Sequence, residues 1–446
     1  MTERQKYHER LLPRVEDPLA AVTRLAAAHP GQDYVCYEGP AGWSFATGIV
    51  AELLMSRDRT LLRTPQGETA HGALHHPLRS VPRLLDSLPI TEWRCYGWVG
   101  YDVAVAEAGL GELVTDGELL HLVVPGVEIR LHSSGTLLRA LDPNDLDAME
   151  ELLVSAGPES VHTPVPVALD GGADAYRAAV SRAVQDIRGG RLQKVVLSRT
   201  VAVDTPVDLA ATYATARRAN TPARSFLFSL GGLAATGVSP ETVVVVSDEG
   251  VVTTQPLAGT RARTGDGARD AELRTELLAD SKEIFEHAIS VKVAYDELVD
   301  LCGPRPVTVS EFMVVRERGT VQHLASAVRG QLGEEQGPWD AFAALFPAVT
   351  ASGVPKKVAY EVISELETAE RGLYSGAVLV HDADGSLDAA LVLRTVFQRG
   401  GRTWLRAGAG VVEQSSPERE FTETCEKLSS VARYLVPAAS ARRTEG

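Results

Sequence analysis

The stretch RLQKVVLSRTVAV, residues 191–203, alternates β-branched and polar residues and is typical of a β-strand with a buried face. Ahead of it, apolar residues recur at helical spacing, namely Tyr176, Ala179, Val180, Ala183, Val184 and Ile187. The pair Gly189-Gly190 then provides a helix stop. The sequence therefore predicts a helix that leads directly into a strand.

Strand-like segments continue to the C-terminal end of this region. They are 225–230, 242–248, 250–257, 307–315, 320–332, 373–382, 389–400 and 402–412. Helical patterns separate them near 271–302, 338–346, 354–366 and 417–434. Runs of consecutive strands broken by helices predict an α+β fold with mostly antiparallel pairing.

The first part of the chain is less informative. Residues 1–165 mix short strand-like runs with a helical stretch near 143–155 and contribute an N-terminal part of the fold. The segment PESVHTPVPVALDGGAD (158–174) has the prolines and glycines of a linker, which places the main boundary near residue 170. We expect a catalytic core over 171–437 and a disordered tail over 438–446.

Composition narrows the class of protein. The 446 residues are 44% apolar, enough for a substantial core. The four cysteines are far apart in sequence, which favours a reducing cytoplasm over a disulfide framework. The polar N-terminal segment lacks the apolar core of a signal peptide, and no run is long enough for a membrane span. The net charge of −15 argues against nucleic acid and anionic membranes as partners.

Two ionisable residues lie within or next to predicted apolar strands. Lys194 lies inside the strand quoted above, where a buried lysine must be paired or neutral, although a lysine on an edge strand is the commoner case. Glu241 follows a Ser-Pro turn at the start of a four-valine strand and is able to point into a cleft or into solvent. Neither residue alone indicates a reaction.

Two helical segments each carry a pair of carboxylates three residues apart. Glu283 and Glu286 lie in SKEIFEHAIS, and Glu420 and Glu423 lie in PEREFTETCEKL. This spacing places each pair on one helix face, and carboxylate oxygens are ligands that Mg²⁺ prefers. The alternative is that each pair is a solvated face, answered by lysines of the same helix.

Further segments have the residue types of an anion site. Arg394 is a cation in the apolar run LVLRTVF, and a guanidinium suits a carboxylate. Tyr374 offers a hydroxyl, and Gly259 with Thr260 forms a predicted turn that lets a ligand approach the backbone. The GAG at 408–410 lacks the context of a dinucleotide fingerprint and is more typical of backbone amides presented to an anion.

Ten motifs occur in an order that resembles the chorismate-utilising enzymes, and most closely the salicylate synthases. They are KVVLSR, GVSPE, PLAGTRA, SKEIFEHAIS, FMVVRERGTVQHL, FPAVTASGVPK, ERGLYSGAV, LDAALVLRT, RTWLRAGAGVV and SPEREFTETCEKL. The resemblance covers residues 174–436. It implies a large sandwich of two antiparallel sheets with peripheral helices, as in anthranilate synthase component I.

The resemblance also implies a reaction and its residues. Lys194 is expected to activate water for attack on C2 of chorismate, and Glu241 to protonate the departing C4 hydroxyl, with burial favouring the neutral form of both. Isochorismate then loses pyruvate to give salicylate, a step for which His323 is a candidate. The same resemblance suggests a role in siderophore biosynthesis.

The remaining site residues follow from the same resemblance. Glu286 and Glu423 are expected to hold Mg²⁺, with Glu283 and Glu420 close by or acting through water. The residues expected to contact substrate are Gly259, Thr260, Thr350, Tyr374, Arg394, Gly408 and Lys427. We expect a monomer that acts on a small molecule without an amidotransferase subunit.

Three alternatives remain. An isochorismate synthase would stop after hydration with the same lysine, glutamate and metal. The ammonia-using large subunit of an anthranilate or aminodeoxychorismate synthase is disfavoured, because by resemblance the anthranilate synthases carry glutamine where this chain has Lys194. A non-catalytic protein that kept the fold would not need all of these polar groups. Gln255 occupies a position where some salicylate synthases have an acidic residue. The sequence therefore does not determine the polarity of the site near the substrate ring.

Overall fold

The computed structural model describes residues 4–72, 76–154, 165–319 and 321–438. The strands are β1 (His8–Leu12), β2 (Tyr34–Gly39), β3 (Gly42–Ser56), β4 (Arg59–Thr64), β5 (Gly67–Gly72), β6 (Arg94–Val99), β7 (Glu118–His132), β8 (Gly135–Ala140), β9 (Lys194–Val203), β10 (Arg224–Leu230), β11 (Leu233–Ser239), β12 (Thr242–Val246), β13 (Val251–Thr254), β14 (Leu257–Ala262), β15 (Thr308–Arg318), β16 (Val321–Gln331), β17 (Gly353–Val354), β18 (Ala377–Asp382), β19 (Leu387–Leu391), β20 (Thr395–Arg399) and β21 (Arg402–Val411).

Eleven α-helices accompany these strands in the described ranges. They are α1 (Pro18–Ala27), α2 (Ser80–Asp86), α3 (Asp102–Glu107), α4 (Asn144–Val154), α5 (Ala173–Arg188), α6 (Leu209–Ala219), α7 (Gly267–Ala279), α8 (Ser281–Cys302), α9 (Pro338–Leu345), α10 (Lys356–Leu366) and α11 (Pro417–Ala432). None of these helices in the described ranges is both long enough and apolar enough to cross a bilayer. The α+β class is confirmed.

The long strands β3 and β7 join two halves of the sheet. The first residues of β3 pair with β2 and its last residues with β4, while β7 pairs with β3 along almost its whole length. A register shift between Ile49 and Ala51 bends the pair where it passes from one half to the other. The predicted two sheets are therefore continuous through these two strands, because each strand is 15 residues long.

Antiparallel ladders extend from this junction in both directions. One half runs from β3 through β2, β10, β11, β20 and β21 to β9. The other runs from β7 through β6, β18, β19, β12 and β13 to β16, which also pairs with β14 and β15. Strands from both sides of the predicted boundary near residue 170 therefore pair with each other.

Buried side chains fill the space between the two halves. Tyr37 and Phe228 of one half share a cluster with Tyr96 and Val378 of the other. Two further clusters lie on the outer faces, one under α1, α4, α6 and α11, and one under α2, α3, α5, α8, α9 and α10. The sandwich is thus closed by helices on both sides, as burial of every apolar sheet face requires.

Two predicted elements differ from the structure. The helical region near 271–302 is two helices, because the Asp280 side chain accepts from the backbone N–H groups of Lys282 and Glu283 and caps α8. The predicted strand 389–400 is split into β19 and β20, which belong to different halves of the sandwich. The predicted tail lies outside the described residues from 439 onward, as does 158–164 of the predicted linker.

Candidate active site

Lys194 is the first residue of β9 and is fully buried between β21 and β17. Its Nζ lies 3.0 Å from Glu286 Oε1 and donates to Ser290 Oγ at 3.2 Å. Both partners lie on α8, four residues apart, so one helix face holds the ammonium. The interpretation of Lys194 as an edge-strand lysine in solvent is wrong.

Glu241 occupies the connection between β11 and β12 and is 2% exposed. Burial raises its pKa to about 8, although a hydrogen bond from Thr350 and the charge of Lys194 both act in the opposite direction. Thr350 Oγ1 donates to Glu241 Oε1 at 2.6 Å. Glu241 is therefore a mostly protonated carboxyl at neutral pH, close enough to Lys194 to feel its charge.

The glutamates of α8 and α11 are paired with cations. Besides the Glu286 contact with Lys194, Lys282 donates to Glu420 at 3.0 Å and Lys427 to Glu423 at 2.7 Å. These contacts join α8 to β9 and to α11. The α11 helix begins as predicted, with Ser416 as the N-cap and Pro417 at the first helical position.

Burial distinguishes these helices from solvated faces. Glu420 is fully buried and Glu283 is 6% exposed. Burial raises the pKa of each, and neighbouring carboxylates add to the effect. The pKa of Glu286 is instead held low, because the charges of Lys194 and Lys282 outweigh the burial of its carboxyl group.

These glutamates have the chemistry of a divalent cation site but are not arranged as one. Within the described residues, no group of three or more Asp, Glu, His or Cys side chains has the geometry to hold a metal ion. Glu420 Oε2, however, is buried without a hydrogen-bond partner, and all four groups offer the oxygen ligands that suit Mg²⁺. Binding an ion here requires Glu286 and Glu423 to turn away from their lysines.

The two glycines of GAG allow close packing on β21. A Cβ at Gly410 would lie 2.2 Å from Glu286 Oε1, and one at Gly408 would lie 2.9 Å from the Tyr374 hydroxyl. Lys427 Nζ also donates to the Gly408 carbonyl oxygen at 2.9 Å. This segment is therefore the surface against which the α8 carboxylate and the tyrosine hydroxyl pack.

His323 connects Arg394 to Thr260. Arg394 Nη2 lies 2.9 Å from His323 Nε2, and Thr260 Oγ1 lies 2.9 Å from Nδ1. Because a guanidinium only donates, Nε2 accepts, and Nδ1 carries the proton that is donated to Thr260. Burial and the neighbouring Arg394 charge hold the pKa of His323 well below its ordinary value, so the ring is neutral.

The backbone conformation at two of these positions differs from the prediction. Arg394 has φ +51° and lies between β19 and β20, not inside a strand. Gly259, predicted in a turn, has φ +81° and forms a bulge in β14, where a Cβ would lie 3.2 Å from Glu283 Cβ. Burial lowers the pKa of Arg394 only to about 10, so it remains charged at neutral pH.

Tyr374 is buried beneath two guanidinium groups. The guanidinium carbon Cζ of Arg371 lies 5.8 Å from the centroid of the Tyr374 ring, and that of Arg406 lies 5.5 Å from it. Burial raises the pKa of the Tyr374 hydroxyl, which remains a hydrogen-bond donor. Gln255 is half-buried between β13 and β14.

Three residues of this region were not predicted to have a role in the site. They are Lys282, Ser290 and Arg371. Ser290 lies one helical turn after Glu286 and therefore on the same helix face. The spacing alone could have predicted that Ser290 also contacts Lys194, once Glu286 was expected in the site. The partner of Lys282 and the two carbonyl partners of Arg371 are distant in sequence, and no local pattern indicates them.

Comparison with known proteins identifies the family of this chain. Residues 32–433 match the family described as chorismate binding enzyme. A salicylate synthase from Mycolicibacterium paratuberculosis is 41% identical over 438 residues, covering 95% of each chain. Anthranilate synthase component 1 from Mycolicibacterium smegmatis is 32% identical over 476 residues, covering 97% of this chain and 90% of the relative.

Solved structures share the fold. Anthranilate synthase component I from Streptococcus pneumoniae has a TM-score of 0.74 at 25% identity, covering 90% of this chain and 92% of that chain. The menaquinone-specific isochorismate synthase from Escherichia coli has a TM-score of 0.73 at 22% identity, covering 97% and 96%. The predicted resemblance is confirmed: this chain belongs to the chorismate-binding enzyme family.

Proposed function

We propose that the protein adds water to C2 of chorismate with loss of the C4 hydroxyl, and then eliminates pyruvate from isochorismate to give salicylate. The observation that carries the proposal is the burial of two ionisable groups that interact through their charges, Glu241, whose pKa burial raises to about 8, and Lys194. The near full-length similarity to a salicylate synthase supports the choice of product.

Glu241 is suited to the role of general acid. Hydroxide is a poor leaving group, so a proton must reach the C4 oxygen as its bond to carbon breaks. With a pKa of about 8, Glu241 carries that proton at neutral pH and gives it up more readily than an alcohol or water. The hydrogen bond from Thr350 fixes the carboxyl and stabilises the carboxylate that remains.

Lys194 is suited to the role of general base once its amine is free. It must take a proton from the water that attacks C2, so the ion pair with Glu286 has to open first. Ser290, the second partner of Nζ, keeps the side chain aligned along α8 while that pair is open. The full burial of Lys194 keeps its amine away from bulk water.

Mg²⁺ is the cofactor that the carboxylates of α8 and α11 would hold. Glu286 and Glu423 would be its ligands, with Glu283 and Glu420 close by or acting through water. When bound, the ion would neutralise and orient the ring carboxylate of chorismate. Glu420 is the group that most requires a further partner, because one of its oxygens is buried and unpaired.

The second carboxylate of the substrate, on the enolpyruvyl group, is assigned to Arg394, Tyr374 and Lys427. Gly408 is assigned to the same carboxylate and Thr260 to the ring, while Gly259 would let the substrate approach the backbone closely. Elimination of pyruvate moves the C2 hydrogen to the enolpyruvyl methylene and needs the side chain held over the ring. His323 has both ring nitrogens engaged, so it contributes by fixing Arg394.

The first test is incubation of the purified protein with chorismate and Mg²⁺, with and without EDTA, followed by chromatography with salicylate fluorescence. Salicylate and pyruvate that disappear with EDTA are the expected result. Isochorismate alone would replace the proposal by an isochorismate synthase, and product that requires ammonia would replace it by the anthranilate or aminodeoxychorismate synthase alternative. Action as a cytoplasmic monomer that supplies siderophore biosynthesis, without an amidotransferase subunit, is part of the same proposal.

A further inference from the structure

Arg371 is a buried arginine whose contacts all lie inside the protein. Its side chain is 2% exposed and forms an ion pair with Glu367 at 2.7 Å. Nη1 donates to the carbonyl oxygen of Ala351 at 2.8 Å, and Nη2 donates to that of Val196 at 2.6 Å. One planar guanidinium therefore ties together three separate segments of chain.

One of those segments carries the proposed base, and another carries the residue that binds the proposed acid. Val196 lies two residues after Lys194 on β9. Ala351 follows Thr350, the residue that donates to Glu241. Arg371, Ala351 and Thr350 therefore connect the Lys194 strand to the Glu241 carboxyl.

Neighbouring contacts stiffen the same junction. The N–H of Val196 donates to the carbonyl oxygen of Ser352 at 2.7 Å, and β17 pairs with the start of β9. Gly353 is required there, because a Cβ would lie 2.3 Å from the Lys194 carbonyl oxygen. Arg371 adds the only side-chain contacts in the described residues that bind both Val196 and Ala351.

The charge of Arg371 is balanced locally. Burial alone would lower its pKa, but Glu367 outweighs that effect and keeps it raised. Glu367 also accepts from Arg406 and from the backbone N–H of Ser198. Loss of the guanidinium would leave the carbonyl oxygens of Val196 and Ala351 without these donors and would free the two segments to shift.

We propose that Arg371 is a positioning residue that fixes the spacing between the acid Glu241 and the base Lys194. This inference rests on the proposed function. It has a specific consequence, because water addition to chorismate needs both groups in register, whereas the pericyclic loss of pyruvate from isochorismate needs neither. Arg371 should matter for the first half-reaction and not for the second.

The test compares the two half-reactions in the Arg371→Lys variant of the full chain. Lysine keeps the charge but cannot reach Glu367 and two carbonyl oxygens together. We expect kcat for isochorismate formation from chorismate to fall about 100-fold, as a displacement of about 1 Å allows. Pyruvate release from supplied isochorismate should stay within about threefold of the wild-type rate, since only substrate positioning is needed for it.

Controls separate this role from a structural one. Arg399→Lys alters a surface ion pair with Glu118 and should change neither half-reaction. If Arg371→Lys does not fold, as judged by thermal unfolding, Glu367→Gln weakens the same junction from its other side and should show the same selectivity. Equal losses in both half-reactions, or no loss in either, would overturn the inference. Wild-type protein that forms no isochorismate would instead overturn the proposed function.

Discussion

Replacing Glu241 by glutamine should stabilise the folded protein at alkaline pH while abolishing water addition. The carboxyl is buried, and its pKa rises from an ordinary value of 4.5 to about 8 in the folded state. Glutamine keeps nearly the same volume and still accepts from Thr350, but it never ionises. The variant therefore removes one specific cost, that of burying a negative charge.

The sign of the effect follows from proton binding. Below about pH 4.5 both folded and unfolded states hold the Glu241 proton, so the carboxyl costs nothing. Between pH 4.5 and about 8 only the folded state holds it, so wild-type stability falls as pH rises. Above about pH 8 the full cost remains. At about 1.4 kcal/mol per pKa unit, the upper bound on the stability gained by the variant is about 5 kcal/mol.

Calorimetric melting of wild type and Glu241→Gln at about pH 5 and about pH 9 measures this difference. We expect nearly equal melting temperatures at the acid pH and a clearly higher one for the variant at the alkaline pH. Glu334→Gln, at an exposed position, serves as the matched control. A difference in melting temperature between wild type and variant that does not change with pH would refute the raised pKa.

The same pKa predicts that wild-type turnover declines above about pH 8 as the acid ionises.

Three further substitutions test neighbouring parts of the site. Lys194→Gln should fold but melt at a lower temperature, because the buried Glu286 carboxylate loses its cation, and it should abolish isochorismate formation; wild-type turnover would contradict the role of Lys194 as base. Gly410→Ala places a methyl group against Glu286 and should weaken Mg²⁺ affinity roughly 10-fold in calorimetric titration, whereas Gly72→Ala, with open space around it, should not. Arg394→Lys should raise KM for chorismate about 10-fold or more, because lysine cannot form a bidentate contact while also contacting His323; an unchanged KM would exclude that contact.

The sequence was sufficient for the fold class and for most elements, because periodicity and capping are local. Helix α11 begins where Ser416 and Pro417 predict, and the valine-rich strands lie where they were expected. The split at Arg394 was not predicted, since an unbroken apolar run gives no sign that the two strands on either side belong to different halves of the sandwich. The sharing of β3 and β7 between both halves was not predicted either, because it depends on the pairing register of strands that are distant in sequence.

The site was predictable in its residue types and less so in its contacts. Motif order pointed to Lys194, Glu241 and the glutamates of two helices, and the structure shows that Lys194 and Glu241 are buried. Arg371 lies inside the quoted motif ERGLYSGAV, but its partners Val196 and Ala351 are far away in sequence. The Glu423–Lys427 pair follows the i,i+4 spacing of one helix, whereas the pairs of Glu286 with Lys194 and of Glu420 with Lys282 depend on how three elements meet.

Those ion pairs bear on how an acidic protein attracts a dianionic substrate. Glu286, Glu420 and Glu423 each pair with one lysine, so together they leave no net charge for an anion to feel. Arg394 is different, because its partner His323 is neutral and its own charge remains available at neutral pH.

The enolpyruvyl carboxylate therefore has an available cation in Arg394. The ring carboxylate has none until a divalent ion binds to the glutamates. On this argument, loss of Mg²⁺ and loss of the Arg394 guanidinium should weaken chorismate binding by separate and nearly additive amounts. Strong coupling between them in a double-perturbation cycle would mean that both cations act on the same carboxylate.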